Sequence, residues 1–191
     1  MEVLPDIVGP DPVIVFCGMA GAESTRTREH YYASPGNSFW ESMHLSGLTP
    51  QRLRPEQDHR VIELGLGLTD LVGHWDHDAN RGWVEIDLLV ANVERWRPAW
   101  VAFTGKGTAS YVARALGLRG SRGKPGLGVA DWDVAGAEVF VLPGTSGANQ
   151  RKDYDGRPNR LSWWRDLAQI TAPERSTRRP DTPGPDQSQA L

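Results

Sequence analysis

Blocks of consecutive apolar residues alternate along the chain with stretches in which apolar positions recur at helical spacing. Val13-Ile14-Val15-Phe16-Cys17 is an unbroken apolar run stopped by Gly18, the pattern of a strand buried on both faces. Asn37 to Leu45 (NSFWESMHL) predicts a helix, with Asn37 placed to cap its first turn and Gly47 past its end. Ile86, Leu89, Val90 and Val93 fall at i, i+3, i+4 and i+7 and predict a second helix from about Gly82 to Trp96, stopped before Pro98. Trp100 to Thr104 (WVAFT) is a second buried strand, followed by a helical stripe of Ala109, Val112, Ala113 and Leu116. Glu138 to Leu142 (EVFVL) is a third strand, and Arg160 to Ile170 a closing helix. Strands separated by helices predict an α/β fold of three layers, α/β/α, around a mainly parallel central sheet. Such sheets bind ligands beyond the carboxyl ends of their strands. That directs attention to GMAGAES after Cys17 and PGTSGAN after Leu142.

The 191 residues (21.1 kDa) suffice for one such domain and are short for two. At 39% hydrophobic and 24% charged, the composition is that of an ordinary soluble globular protein. No run approaches the ~18 apolar residues of a membrane span. The opening MEVLPDIVGPDP has acids and prolines where a signal peptide has a basic end and an apolar core, so a cytoplasmic protein is expected. Cys17 is the single cysteine, which excludes an internal disulfide and a multi-cysteine zinc site. A net charge of −3 argues against coating nucleic acid by bulk charge and leaves a local basic groove open. Residues 1–11 read as an irregular lead-in and 12–171 as the domain. Residues 172–191, with four of the fourteen prolines and little to bury, read as a disordered tail.

Several segments carry residue types suited to chemistry, each with a plainer alternative. The small residues of GMAGAES let a ligand approach the backbone closely, although a tight turn needs the same residues. Ser146, Gly147, Ala148 and Asn149 can cradle a phosphate or enter a base stack, or simply turn the chain. Tyr31 and Tyr32 precede Pro35, and a tyrosine beside a small-residue pocket can stack on a planar base; Phe39, Trp40, Trp163 and Trp164 read as core. Asp70 follows the apolar segment Ile62 to Leu68, where partial desolvation tunes a general base, though a capping or solvated turn aspartate fits the same spacing. HWDHD (74–78) has metal-ligand residue types, but neighbours in a loop seldom converge on one ion, and it reads as a polar loop. Arg114, Arg119, Arg122 and Lys124 form one basic set, and Arg151, Lys152, Arg157, Arg160 and Arg165 another. Either can track a phosphate backbone or form a solvated face.

In order and spacing, FCGMAGAES, YYASPGNSFW, GLTP, GLTDLV and LPGTSGAN resemble the mismatch-specific uracil/thymine-DNA glycosylase family of the uracil-DNA glycosylase superfamily. The resemblance runs from about Val13 to Ile170. It implies the family's layered fold and the excision of a damaged or mismatched base: a nucleotide is flipped from the duplex and its glycosidic bond hydrolysed. The family pattern G-I-N-P-G, whose asparagine positions water, corresponds to Gly18, Met19, Ala20, Gly21 and Ala22, and N-P-S-G to Gly144, Thr145, Ser146 and Gly147. Alanine and glycine thus replace both asparagines. A related branch carries G-L-A-P-A and takes its acid from elsewhere, which makes Asp70 the expected catalytic group. By the same resemblance Gly18 to Ala22, Tyr32 and Asn37 would bind the base. Ser24, Thr145, Ser146, Gly147, Ala148, Asn149, Gln150 and Arg151 would meet DNA. Lys106 is expected to be a phosphate contact or surface residue, with no lyase step. The expected partner is DNA with a damaged or mismatched base, bound by a monomer without metal or redox cofactor and without a membrane. Two alternatives stand beside this: a lesion-binding module that no longer cuts, and a hydrolase of free nucleosides or nucleotides.

Overall fold

The computed structural model describes residues 4–20, 29–76, 81–118, 125–147 and 154–177. The apolar run at 13–17 lies in β1 (Ile14–Ala20), which runs parallel to β2 (Leu66–Asp76) on one side and to β4 (Trp100–Phe103) on the other. Beyond β4 lies β6 (Ala137–Val141), also parallel. Two antiparallel strands close the edges, β3 (Arg81–Val84) beside β2 and β5 (Gly128–Val134) beside β6, giving the order β3-β2-β1-β4-β6-β5.

Alternating side chains send each strand to two cores. Ile14, Phe16, Leu66, Leu68, Trp100, Ala102, Phe140 and Leu142 pack under α1 (Phe39–Leu45) and α4 (Leu161–Ile170). Cys17, Leu71, Val101, Phe103, Val139 and Val141 pack under α2 (Ile86–Trp96) and α3 (Lys106–Ala115). The result is the expected three-layer α/β fold with a mainly parallel centre. From β1 the chain moves outward to β2, then crosses back to β4 on β1's other side. That reversal is a topological switch point at the carboxyl ends of β1 and β4, the place where open α/β sheets form a crevice.

Several local expectations change. The second helix starts at Ile86 rather than near Gly82, because Arg81–Val84 pairs with residues 73–76 instead. That pairing also places His74, Trp75 and Asp76 in a strand where a polar loop was expected; His77 and Asp78 lie outside the described residues. Strand β5 and a 3-10 helix at Pro55–Leu64 carried no clear period in the sequence. The lead-in is irregular but anchored, since Ile7 bridges Leu68 and Asp6 accepts a 2.6 Å hydrogen bond from Thr69. Chain expected to be disordered from 172 instead forms α5 (Ala172–Thr177), and Arg175 donates to the Ala168 carbonyl at 2.9 Å. Among the described residues no helix is long and apolar enough to cross a membrane.

Trp164 is the keystone of the α1/α4 core. It is fully buried, lies stacked 5.7 Å from Phe16 and meets Phe39 edge-on at 5.5 Å. Trp164→Ala leaves a cavity against both rings and is expected to lower the unfolding free energy by ~3–5 kcal/mol in urea denaturation.

Candidate active site

On the α1/α4 face the apolar rows end at one level. The next inward positions along β1, β2 and the β4 end are Gly18, Asp70 and Thr104, and Gly18 pairs directly with Asp70. Gly18 has no side chain, and the half-buried Asp70 carboxylate occupies the space. A Cβ built on Gly18 would collide with Asp70 Oδ1 and lie 3.2 Å from Tyr32 Oη. The carboxylate and the phenol therefore flank one bare stretch of backbone at the crevice mouth.

Tyr32 is held at both ends. Its ring lies flat on Phe39, centroids 3.7 Å apart and planes 7° from parallel, and its hydroxyl meets Thr104 Oγ1 at 3.1 Å. Its backbone adopts φ +54, a left-handed turn unusual for a tyrosine. Neighbouring contacts hold that turn. The buried Asp58 carboxylate accepts the Tyr31 N–H at 3.2 Å and lies 3.3 Å from His30 Nδ1, while Trp40 Nε1 donates to the Tyr31 carbonyl at 3.1 Å. The N-cap of α1 is Ser38 rather than the expected Asn37, whose Oδ1 accepts the Phe39 N–H at 3.0 Å from one residue further out.

The loop after β6 closes the other side. The Thr145 carbonyl accepts from the Ser38 backbone at 3.0 Å and from Ser38 Oγ at 3.3 Å, and Arg160 Nη1 donates to Ser38 Oγ at 2.6 Å. Gly147 approaches Gly36 so closely that a Cβ would sit 2.9 Å from the Gly36 carbonyl oxygen. Ser146 and Gly147 are exposed. Thr145, expected to meet DNA, is buried with 3% of its surface exposed and instead ties two loops together.

Electrostatically, several expected phosphate contacts are committed within the protein. Lys106 Nζ pairs with Asp155 at 2.6 Å. Arg157 pairs with Asp166 and lies 4.1 Å over the Trp163 ring. Burial, reinforced by the Asp70 charge, raises the Cys17 thiol well above its ordinary value and raises the Tyr31 phenol likewise.

The structure brings the expected catalytic residue Asp70 and, of the residues expected to bind the base, Gly18, Tyr32 and Asn37 to one end of the sheet. Met19 and Ala20 continue β1. In a parallel ladder successive peptides alternate sides. The Cys17 carbonyl serves Thr104 N on the β4 side, so Met19's peptide turns toward the crevice and those of Gly18 and Ala20 toward β2. Gly21, Ala22, Ser24, Ala148, Asn149, Gln150 and Arg151 lie outside the described residues. Thr104 and Asp58 were missed. A threonine ending a strand and an acid in a polar turn carry no signal until the register is known.

The chain is a doubly wound α/β domain with a carboxylate and an aromatic ring at the carboxyl ends of its central strands. The family model of the uracil DNA glycosylase superfamily matches residues 5–168, and the chain belongs to that superfamily. Membership supports DNA glycosylase chemistry, hydrolysis of a base–sugar bond, in general. The fold is similar to the solution NMR structure of a candidate uracil DNA glycosylase from Methanosarcina acetivorans. The TM-score is 0.58 at 21% identity, covering 90% of this chain and 98% of that one.

Two outcomes follow from this geometry. Gly18→Ala is expected to push the Asp70 carboxylate aside; with Asp70 as the group that supports catalysis, base release falls at least tenfold, and unchanged release in the variant would mean that it is not. Its Tm should stay within a few degrees, because the flexible end of Asp70 can yield; both are read on the same preparation. Separately, the folded state keeps the Cys17 thiol protonated above its ordinary 9.0, so the unfolded chain loses that proton first. Stability present below pH 9.0 is therefore lost as pH rises further, and urea midpoints should fall there, less steeply for Cys17→Ala.

Proposed function

We propose that this protein is a monofunctional DNA glycosylase, removing a mismatched or deaminated base from DNA by hydrolysis. The observation that carries the reading is the convergence of the Asp70 carboxylate and the Tyr32 phenol over the bare backbone of Gly18. In this reading the flipped base stacks on Tyr32, and the Met19 amide bonds its edge. As the C1′–N bond breaks, its electron pair leaves with the base and the sugar becomes oxocarbenium-like. Asp70 stabilises that charge, orients a water toward C1′ and takes the proton the water loses on attack. Ser146, Gly147 and the residues up to Arg151 would grip the duplex. No lysine is assigned as a nucleophile, and no metal or redox cofactor enters the reaction. The protein would act in the cytoplasm as a monomer.

A second reading, a lesion-binding module that does not cut, is favoured by Ala20. It stands where the resembled family places its water-orienting asparagine, and a methyl group orients no water. Duplexes each carrying one modified base (uracil, xanthine, hypoxanthine or an alkylated pyrimidine) separate the two. Alkali-labile sites on any of them mark the enzyme; retention without cleavage across all of them marks the binder. For the enzyme, Asp70→Asn is expected to abolish base release while duplex affinity stays within a few-fold. Full activity in that variant removes Asp70 from the mechanism.

A further inference from the structure

A phenylalanine stacks on a base as well as a tyrosine does, so the hydroxyl of Tyr32 needs its own explanation. Thr104, the first residue after β4, supplies one. Its backbone N–H donates to the Cys17 carbonyl at 3.0 Å, and its Oγ1 donates to the same carbonyl at 3.4 Å. The Thr104 hydroxyl thus lies between the Cys17 carbonyl and Tyr32 Oη, which it meets at 3.1 Å, a contact in which either hydroxyl can donate. Thr104 so links the phenol to the Cys17 carbonyl of β1.

We propose that Thr104 is the positioning residue for the base-stacking ring, tying the Tyr32 phenol to the sheet so that the ring stands at one height and angle before any base arrives. The proposal deepens the glycosylase reading and rests on it, since it takes Tyr32 as the stacking group. Phe39 fixes the plane of the ring; Thr104 fixes its rotation and reach. A ring held at both points loses no rotamer freedom when a base lands on it, and that cost would otherwise come out of the binding energy. Thr104 itself touches no base in this arrangement and acts only through Tyr32.

Thr104→Val keeps the shape and removes the hydroxyl. With the oligonucleotide that loses its base fastest, this variant is expected to raise KM about three- to tenfold, the equivalent of one net hydrogen bond, with kcat within about twofold. Thr104→Ser should restore KM. In a Tyr32→Phe background Thr104→Val should change KM no further. A fall in kcat alone, failure of the serine variant to rescue, or an equal KM rise in the Tyr32→Phe background overturns the proposal. If no duplex loses a base, the glycosylase reading has failed, and the tie is then decided by thermal unfolding. Losses in Tm from Tyr32→Phe and Thr104→Val that do not add in the double variant support the tie, and additive losses overturn it.

Discussion

The register between β1 and β2 is the constraint on which the crevice depends. Side chains alternate along a strand, so a slip of one residue would send Asp70 to the α2/α3 face and bring Leu71 beside Gly18. Burial on both faces forbids the slip. Leu66 and Leu68 fill one core while Leu71 fills the other, and a slip would force each into space shaped for a different side chain and set the Asp70 carboxylate among the apolar residues of the α2/α3 face. The register is also pinned where it begins. Gly65, at φ +68, ends the 3-10 helix in a conformation that favours glycine, and its carbonyl accepts the Val13 N–H at 2.7 Å. Five residues later along both strands the acid arrives beside the one position with no side chain to exclude it.

A second constraint is how charge is used. The chain carries a net charge of −3, so attraction to a polyanion has to be local. Yet several described cations serve the protein first: Lys106 of α3 on Asp155, and after the second loop Arg157 on Asp166 and Trp163 and Arg160 on Ser38. These contacts hold the chain after β6 against α3, α4 and the start of α1. Their effect is to fix where Ser146 and Gly147 emerge rather than to raise the field around them.

The strands that became central were legible because both their faces are buried: β1, β4 and β6 read as unbroken apolar runs. The edges were not, since pairing on one side lets polar residues remain. Residues 73–76 and Arg81–Val84 carry histidine, aspartate, arginine and glycine, and only their mutual pairing makes them strands. β5 alternates buried and exposed positions behind two aspartates and a bulge. Asp70 was visible as a polar residue at the end of an apolar segment. Thr104 was invisible because its role exists only once β4 lies beside β1. The partners of Arg157 and Arg160 were invisible for a related reason: sequence shows a cation but not the acid, ring or hydroxyl that tertiary contact sets against it.

Within the proposed reaction, an acid in place of an amide changes where the transition state is supported. An amide side chain offers a dipole to a water. A carboxylate offers a full charge to a developing sugar cation, worth about 4 kcal/mol at 4 Å and an effective dielectric of 20. The same charge opposes the electrons departing with the base, so the base cannot rely on Asp70 for its own stabilisation. Donors on the other side of the crevice have to meet it, and the Met19 peptide, turned away from β2 by strand alternation, is placed for that. Sugar and base would then be served by different strands, β2 for the cation and β1 for the leaving group, with the pinned Tyr32 ring setting the plane between them.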